Sequence, residues 1–164
     1  MNLPSGPLAS KRLMQLTWVA GFIGFWGGFG ALQNGNTLSA IEWISVWVVG
    51  GVGLLSFLRH AVFHRSDAKR MNWDYGQRND FQIEAGFANL SWGLVGLISW
   101  LQGWGIQAQG AVILVFGIYM SQAAILHLSE FNLNDNRGKN ISKLINIIFA
   151  ACLLCFGSLA LLYN

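Results

Sequence analysis

The sequence predicts an all-α integral membrane protein, a helix bundle with five transmembrane helices, its N-terminus inside and its C-terminus outside. Three observations carry this. Only 10% of the 164 residues are charged while 54% are hydrophobic, against roughly 25% charged residues in a soluble domain. Five apolar stretches approach the roughly 20 residues that a spanning helix needs. The ten basic residues fall before the first stretch and at or within alternate connections, while the other connections hold none. With a mean hydropathy of +0.45, a water-soluble globule of this size would lack polar surface. Disordered and nucleic-acid-binding classes need charge that this chain does not have, so no nucleic-acid partner is expected.

The first segment covers 13–33. Lys11 and Arg12 precede it, and Pro4 and Pro7 lie before it. It is too long for the apolar region of a signal peptide, and no A-x-A site follows, so it reads as an anchor helix. Ala20, Gly24 and Gly28 recur at spacing four, which lets a neighbouring backbone approach closely in lipid. The second segment covers 40–63, with Glu42 as an acid at its start and Gly50, Gly51 and Gly53 for close packing. The third covers 80–101. Asn79 or Asp80 is its N-cap, with Gln82 placed for a capping box to Asn79. Asn89 shares an arc with Gly86, Gly93 and Gly96 at 100° per residue. It is expected to face a close neighbour and donate an interhelical hydrogen bond. The fourth covers 109–131 and the fifth 143–163. Cys152 and Cys155 lie in the fifth with no basic neighbour to lower a thiol pKa, so they read as small packing residues rather than as redox or zinc groups. The whole is a single transmembrane helical domain.

Orientation follows from charge. Lys11 and Arg12, then Arg59, Arg65, Lys69, Arg70 and Arg78, then Arg137, Lys139 and Lys143 mark one face, and the connections 34–39 and 102–108 hold no basic residue. The positive-inside rule makes the marked face cytoplasmic, which gives a multi-pass inner-membrane protein. The basic 65–78 connection could also meet anionic lipid headgroups. Trp18, Trp43, Trp73, Trp100 and Trp104 lie near segment ends and form the expected aromatic belt. The glycine-lined helices allow a homo-oligomer as well as packing within one chain.

Ionisable groups inside a membrane are costly, so their positions are informative. His60 and His64 stand at i and i+4 and are expected to share a face with Ser56 and Gly53. Glu84 opens the third segment, and His127 and Glu130 close the fourth. Topology brings these five residues to a similar depth on the inner side. Imidazoles and carboxylates are ligands for Zn, Fe or Mn, and helix bundles build metal sites from inward Glu and His. A bis-His haem on His127 with His60 or His64 is a second arrangement, and a proton relay or small-molecule site uses the same groups without a metal. His60, Glu84 and His127 are the expected centre, with His64 and Glu130 beside them. Singly, each has a plain structural role, such as an interfacial histidine or a helix-start carboxylate.

The runs "FLRHAVFH", "MNWDYGQRNDFQIEAGFANLSWGLVGLIS" and "QAAILHL" resemble a family of small bacterial multi-pass membrane proteins catalogued only as a domain of unknown function. The resemblance covers about residues 50–130. It places His60, Phe81, Gln82, Glu84, Gly86, Asn89 and His127 on the motif positions. Arg59 and Leu126 stand where that pattern has Gly, and Asn89 stands where it often has Asp, which removes a carboxylate from any metal site. The resemblance implies the grouping of His60, Glu84 and His127 but no activity. Walker, G-x-S-x-G and H-E-x-x-H motifs are absent. Three roles follow: a membrane protein with a buried His/Glu centre, a structural or accessory subunit of a larger membrane complex, or an enzyme acting on a lipid or quinone.

Overall fold

A computed structural model describes residues 6–72, 78–129 and 137–163. Among these the chain is all-α, with helices α1 (Leu8–Gln33), α2 (Thr37–Val62), α3 (His64–Met71), α4 (Asp80–Leu101), α5 (Ile106–Ser129) and α6 (Arg137–Leu162). Each of the five expected segments is a helix. The sixth, α3, lies in the basic connection, which the hydropathy reading had treated as a link only. Three helices are long and apolar enough to cross a membrane: Thr37–Val62, Ile106–Leu126 and Ile141–Leu162. They mark the chain as membrane-associated. The other two long helices have the length, with α1 about 39 Å and α4 about 33 Å at 1.5 Å per residue. Their composition is less apolar, because glycines and hydrogen-bonding residues such as Ser10, Thr17, Gln82, Asn89 and Ser99 occupy the faces that pack.

Local signals set the helix ends. Asn36 caps α2 by accepting from the Ser39 N–H at 3.0 Å, and Gly35 takes the positive φ of +72° that turns the chain between α1 and α2. Asn79 caps α4, accepting from the Gln82 N–H at 3.2 Å. The Gln82 side chain does not return the expected capping box, because it is drawn instead to α3. Two stretches of α2, Ile44–Gly51 and Leu58–Val62, are wound as π-helix, whose i→i−5 bonds widen the turn. The second ends where the Phe63 N–H reaches the Leu58 carbonyl at 2.8 Å and Phe63 leaves helical geometry at φ −100°, ψ 31°.

Helix α2 is central, with α1 and α4 against it, and α5 and α6 form an antiparallel hairpin beside them. The core gathers Ile41, Ile44, Val48, Val49, Phe116 and Phe156. Phe25 of α1 meets Phe149 of α6 edge-on at 5.4 Å, and Phe29 meets Phe156 at 5.0 Å. Large apolar side chains such as Phe22, Trp26, Leu126 and Ile148 point outward, as lipid-facing groups do. Trp43, Trp100 and Trp104 are exposed near helix ends, Trp18 is exposed ten residues into α1, and Trp73 lies outside the described residues.

The contact between α2 and α4 is made by backbone. A Cβ at Gly53 would stand 2.8 Å from the Asn89 carbonyl oxygen and 2.8 Å from the Gly93 Cα. A Cβ at Gly86 would meet the Ala61 nitrogen at 2.8 Å. In lipid, where burial of apolar surface gives no net drive between helices, this closeness supplies the dispersion contacts that hold them together. Asn89 is buried in this seam. It donates to its own helix at the Ala85 carbonyl (2.7 Å) and across to Tyr119 Oη of α5 at 3.3 Å.

Gly53→Val is expected to force α2 and α4 apart and to cost about 1–3 kcal/mol, the usual penalty of overpacking. Gly30→Ala, where an added Cβ meets nothing within 4 Å, is expected to leave stability unchanged. Thermal unfolding of the detergent-solubilised variants measures both.

Candidate functional site

The polar centre of the molecule is built around a residue that the sequence reading did not single out. Asp67, on α3, is fully buried. Its Oδ1 accepts from Ser10 Oγ of α1 at 2.5 Å and from Arg70 Nη2 at 2.9 Å. Its Oδ2 accepts from His60 of α2 at 2.8 Å and from Gln82 Nε2 of α4 at 2.9 Å. Four helices therefore converge on one carboxylate. Ser66 supports it from below: its Oγ accepts from the Ser10 N–H at 3.0 Å and donates to the Gly6 carbonyl.

The wide π turn brings Arg59 and His60 to this carboxylate together. Arg59 Nη2 lies 2.9 Å from His60 Nε2. A guanidinium only donates, so Nε2 carries the lone pair and the ring proton is on Nδ1, donating to Asp67. His60 is thus a neutral imidazole with both nitrogens engaged. Arg59 stands 3.9 Å from Asp67 Oδ1, beyond hydrogen-bonding reach, and its Nε is buried with no hydrogen-bond partner.

Burial acts to raise the Asp67 carboxyl pKa. The hydrogen bond from His60, the hydrogen bond from Ser10 and the charge of Arg59 outweigh it and hold the group well below the usual carboxylate range. Asp67 is therefore ionised throughout the physiological range, and its charge is compensated by donors from every helix around it.

The expected centre of His60, Glu84 and His127 is described only in part. Of these, His60 is in the polar centre. Glu84 is exposed on α4. His127 is on α5, but its side chain and the whole of Glu130 lie outside the described residues. His64 does not share a face with His60. The π turn and the break at Phe63 place it at the start of α3, where Nδ1 bonds the Ala61 carbonyl at 2.9 Å. Among the described residues no three of His, Cys, Asp and Glu come close enough to hold a metal ion. Cys152 and Cys155 are free thiols. Sequence reasoning missed Asp67 because α3 was hidden in a link. The available signal was a single acid set among Arg59, Arg65, Lys69 and Arg70.

Asp67→Asn is expected to cost about 3–5 kcal/mol, because it leaves buried guanidinium charge without its anion. Ser10→Ala, which removes the hydrogen bond to Asp67 and the one accepted from Arg70 Nε, is expected to cost at least about 1.5–3 kcal/mol, the usual value of one hydrogen bond to a charged group. Because the folded carboxyl is held below its ordinary value of 3.8, its contribution is complete above that pH. It is lost progressively as the pH falls through the ordinary value toward the folded one. Acid unfolding of the wild type followed by circular dichroism, against Asp67→Asn in which this dependence is absent, measures the effect.

No curated protein and no solved structure matches the chain. A family profile described as "Family of unknown function (DUF6790)" matches residues 18–163, which extends the likeness seen at residues 50–130 over nearly the whole sequence, and the chain belongs to that family.

Proposed function

We propose that this chain is a multi-pass inner-membrane protein of five spans, N-terminus cytoplasmic, whose polar centre binds an anionic molecule rather than a metal ion. The alternation of basic connections supports the topology. The ends of α1 and α2, the whole of α3 and the start of α4 then lie at the cytoplasmic face with the Asp67 cluster.

One observation carries the ligand reading. The centre holds two guanidiniums, Arg59 and Arg70, against one carboxylate, and that carboxylate already accepts from Ser10, His60, Arg70 and Gln82. With His60 neutral, two guanidiniums share the one carboxylate, and Arg59 pairs with it only at 3.9 Å, with no hydrogen-bond acceptor at its Nε. Buried charge needs a partner, and an anion supplies it. At this centre both nitrogens of His60 are already engaged, so the ring offers no free lone pair to a metal.

Two measurements test this. With Lys69→Cys and Gln102→Cys, both exposed positions, in a background without Cys152 and Cys155, an impermeant thiol reagent is expected to label Gln102→Cys from outside intact cells. Lys69→Cys is expected to label only after permeabilisation, and labelling of both from one side refutes the topology. For the site, inorganic phosphate at matched ionic strength is expected to raise the unfolding midpoint of delipidated protein. The gain is about 1.4 kcal/mol at ten times Kd, and it is absent in Arg59→Gln. No shift, or stoichiometric zinc or iron lost on His60→Ala, overturns it.

A further inference from the structure

Arg59 does more than complete the polar cluster, because it also lines an open groove of about 520 Å³ between α1, α2, α5 and α6. That volume is in the range of sites that take small organic ligands. The groove has two chemically different ends. Toward the cytoplasmic ends of the helices it is lined by Thr17, Ser56, Arg59 and Asn146. Further along the same helices its walls are Phe22, Phe25, Phe29 and Phe149. The apolar wall continues past Phe29 along α1 to Gln33 as a second, smaller groove. A cation and hydroxyl or amide groups at one end and aromatic rings over the rest match an amphiphile, with a charged head and a long apolar chain lying parallel to the helices.

The depth selects the kind of amphiphile. Arg59 lies three residues from the end of the apolar stretch Thr37–Val62, about 4.5 Å at helical rise, so it is at the headgroup boundary. Its side chain is 16% exposed, and the residue lines the groove. Lys11, Arg12, Arg65 and Lys69 are exposed at the same end of the molecule, and such clusters draw anionic lipid from the cytoplasmic leaflet. Asp67 is turned away from this attraction by its own donors.

We infer that the groove binds one anionic glycerophospholipid of the inner leaflet, its phosphate on Arg59 and one acyl chain along Phe22, Phe25 and Phe149. This rests on the anion-binding reading of the centre and names its ligand class. The groove opens sideways, so the lipid enters from the bilayer without crossing water. The head is recognised by charge and the chain by the aromatic wall.

Native mass spectrometry of detergent-solubilised protein titrated with phosphatidylglycerol and with phosphatidylcholine tests this. The wild type is expected to retain phosphatidylglycerol about fivefold over phosphatidylcholine, the preference that one interfacial cation confers. Arg59→Gln abolishes that preference. Arg78→Gln, an exposed charge outside both the groove and the exposed basic cluster, leaves it near the wild-type value. Cys152→Trp, which fills the groove beside Phe149 without touching the Asp67 network, lowers retention of both lipids. Should Arg59→Gln fail to fold, Arg59→Lys, which keeps the charge, is expected to keep the preference, and retention of both lipids at the wild-type level by Cys152→Trp overturns the inference. Equal retention of the two lipids by the wild type, or an unchanged ratio in Arg59→Gln, overturns the inference. If equal retention is found while inorganic phosphate still stabilises the wild type and not Arg59→Gln, the lipid is wrong and the anion site stands. If phosphate also has no effect, both fall.

Discussion

The Asp67 carboxylate is the constraint on which the cytoplasmic end of this molecule depends. A charge removed from water must be met by donors and counter-charges, and here they come from α1, α2, α3 and α4 at once. No single helix can satisfy it. The carboxylate therefore fixes the depth of α1 through Ser10, the fold-back of α3 through Arg70 and the start of α4 through Gln82. Such a centre is costly to assemble and costly to break, which makes it specific more than it makes it stable.

The winding of α2 is what allows this. A regular α-helix through residues 58–64 would stack His60 and His64 on one face. The π turn at Leu58–Val62 and the break at Phe63 send His60 toward Asp67 and release His64 to a backbone carbonyl. The same turn leaves Arg59 between two environments, with one side on His60 and the other on the groove. π turns recur at functional sites because they re-aim side chains that a regular helix would hold elsewhere. Further along, α2 and α4 touch through Gly53 and Gly93, so the helices carrying His60 and Gln82 are held at backbone distance. The position of Asp67's donors rests on that seam.

The positions of the five long helices were legible in the sequence to within a few residues at most ends, because length, apolarity and capping residues are local properties. Asn79 capped α4 as its residue type predicted, and Asn89 lies in the glycine seam where its arc put it. The apolarity of α1 and α4 was less legible. Their glycines and tryptophans serve packing and interface rather than lipid solubility, so counting apolar residues overstates how readily each partitions into a bilayer. The candidate site was legible only in part. His60 was singled out from the cost of an ionisable group near the membrane, and it lies in the Asp67 cluster. Its partner was not found, since Asp67 stands in a polar link where an acid among basic residues has an ordinary reading as a solvated charge.

By itself the sequence determined the helical class, the order of the helices, their small-residue faces and the uneven distribution of basic charge. Each of these follows from the chemistry of neighbouring residues. Only the tertiary structure decided that α3 folds back under α1 and that Asp67 is buried. It likewise decided that both nitrogens of the His60 ring are hydrogen-bonded and that Arg59, paired with Asp67 only at 3.9 Å, also lines an aromatic groove. Those facts depend on groups more than 50 residues apart, such as Ser10 and Asp67. The free energy of burying a charge is set by the donors brought to it in space, and no local pattern of residues records them.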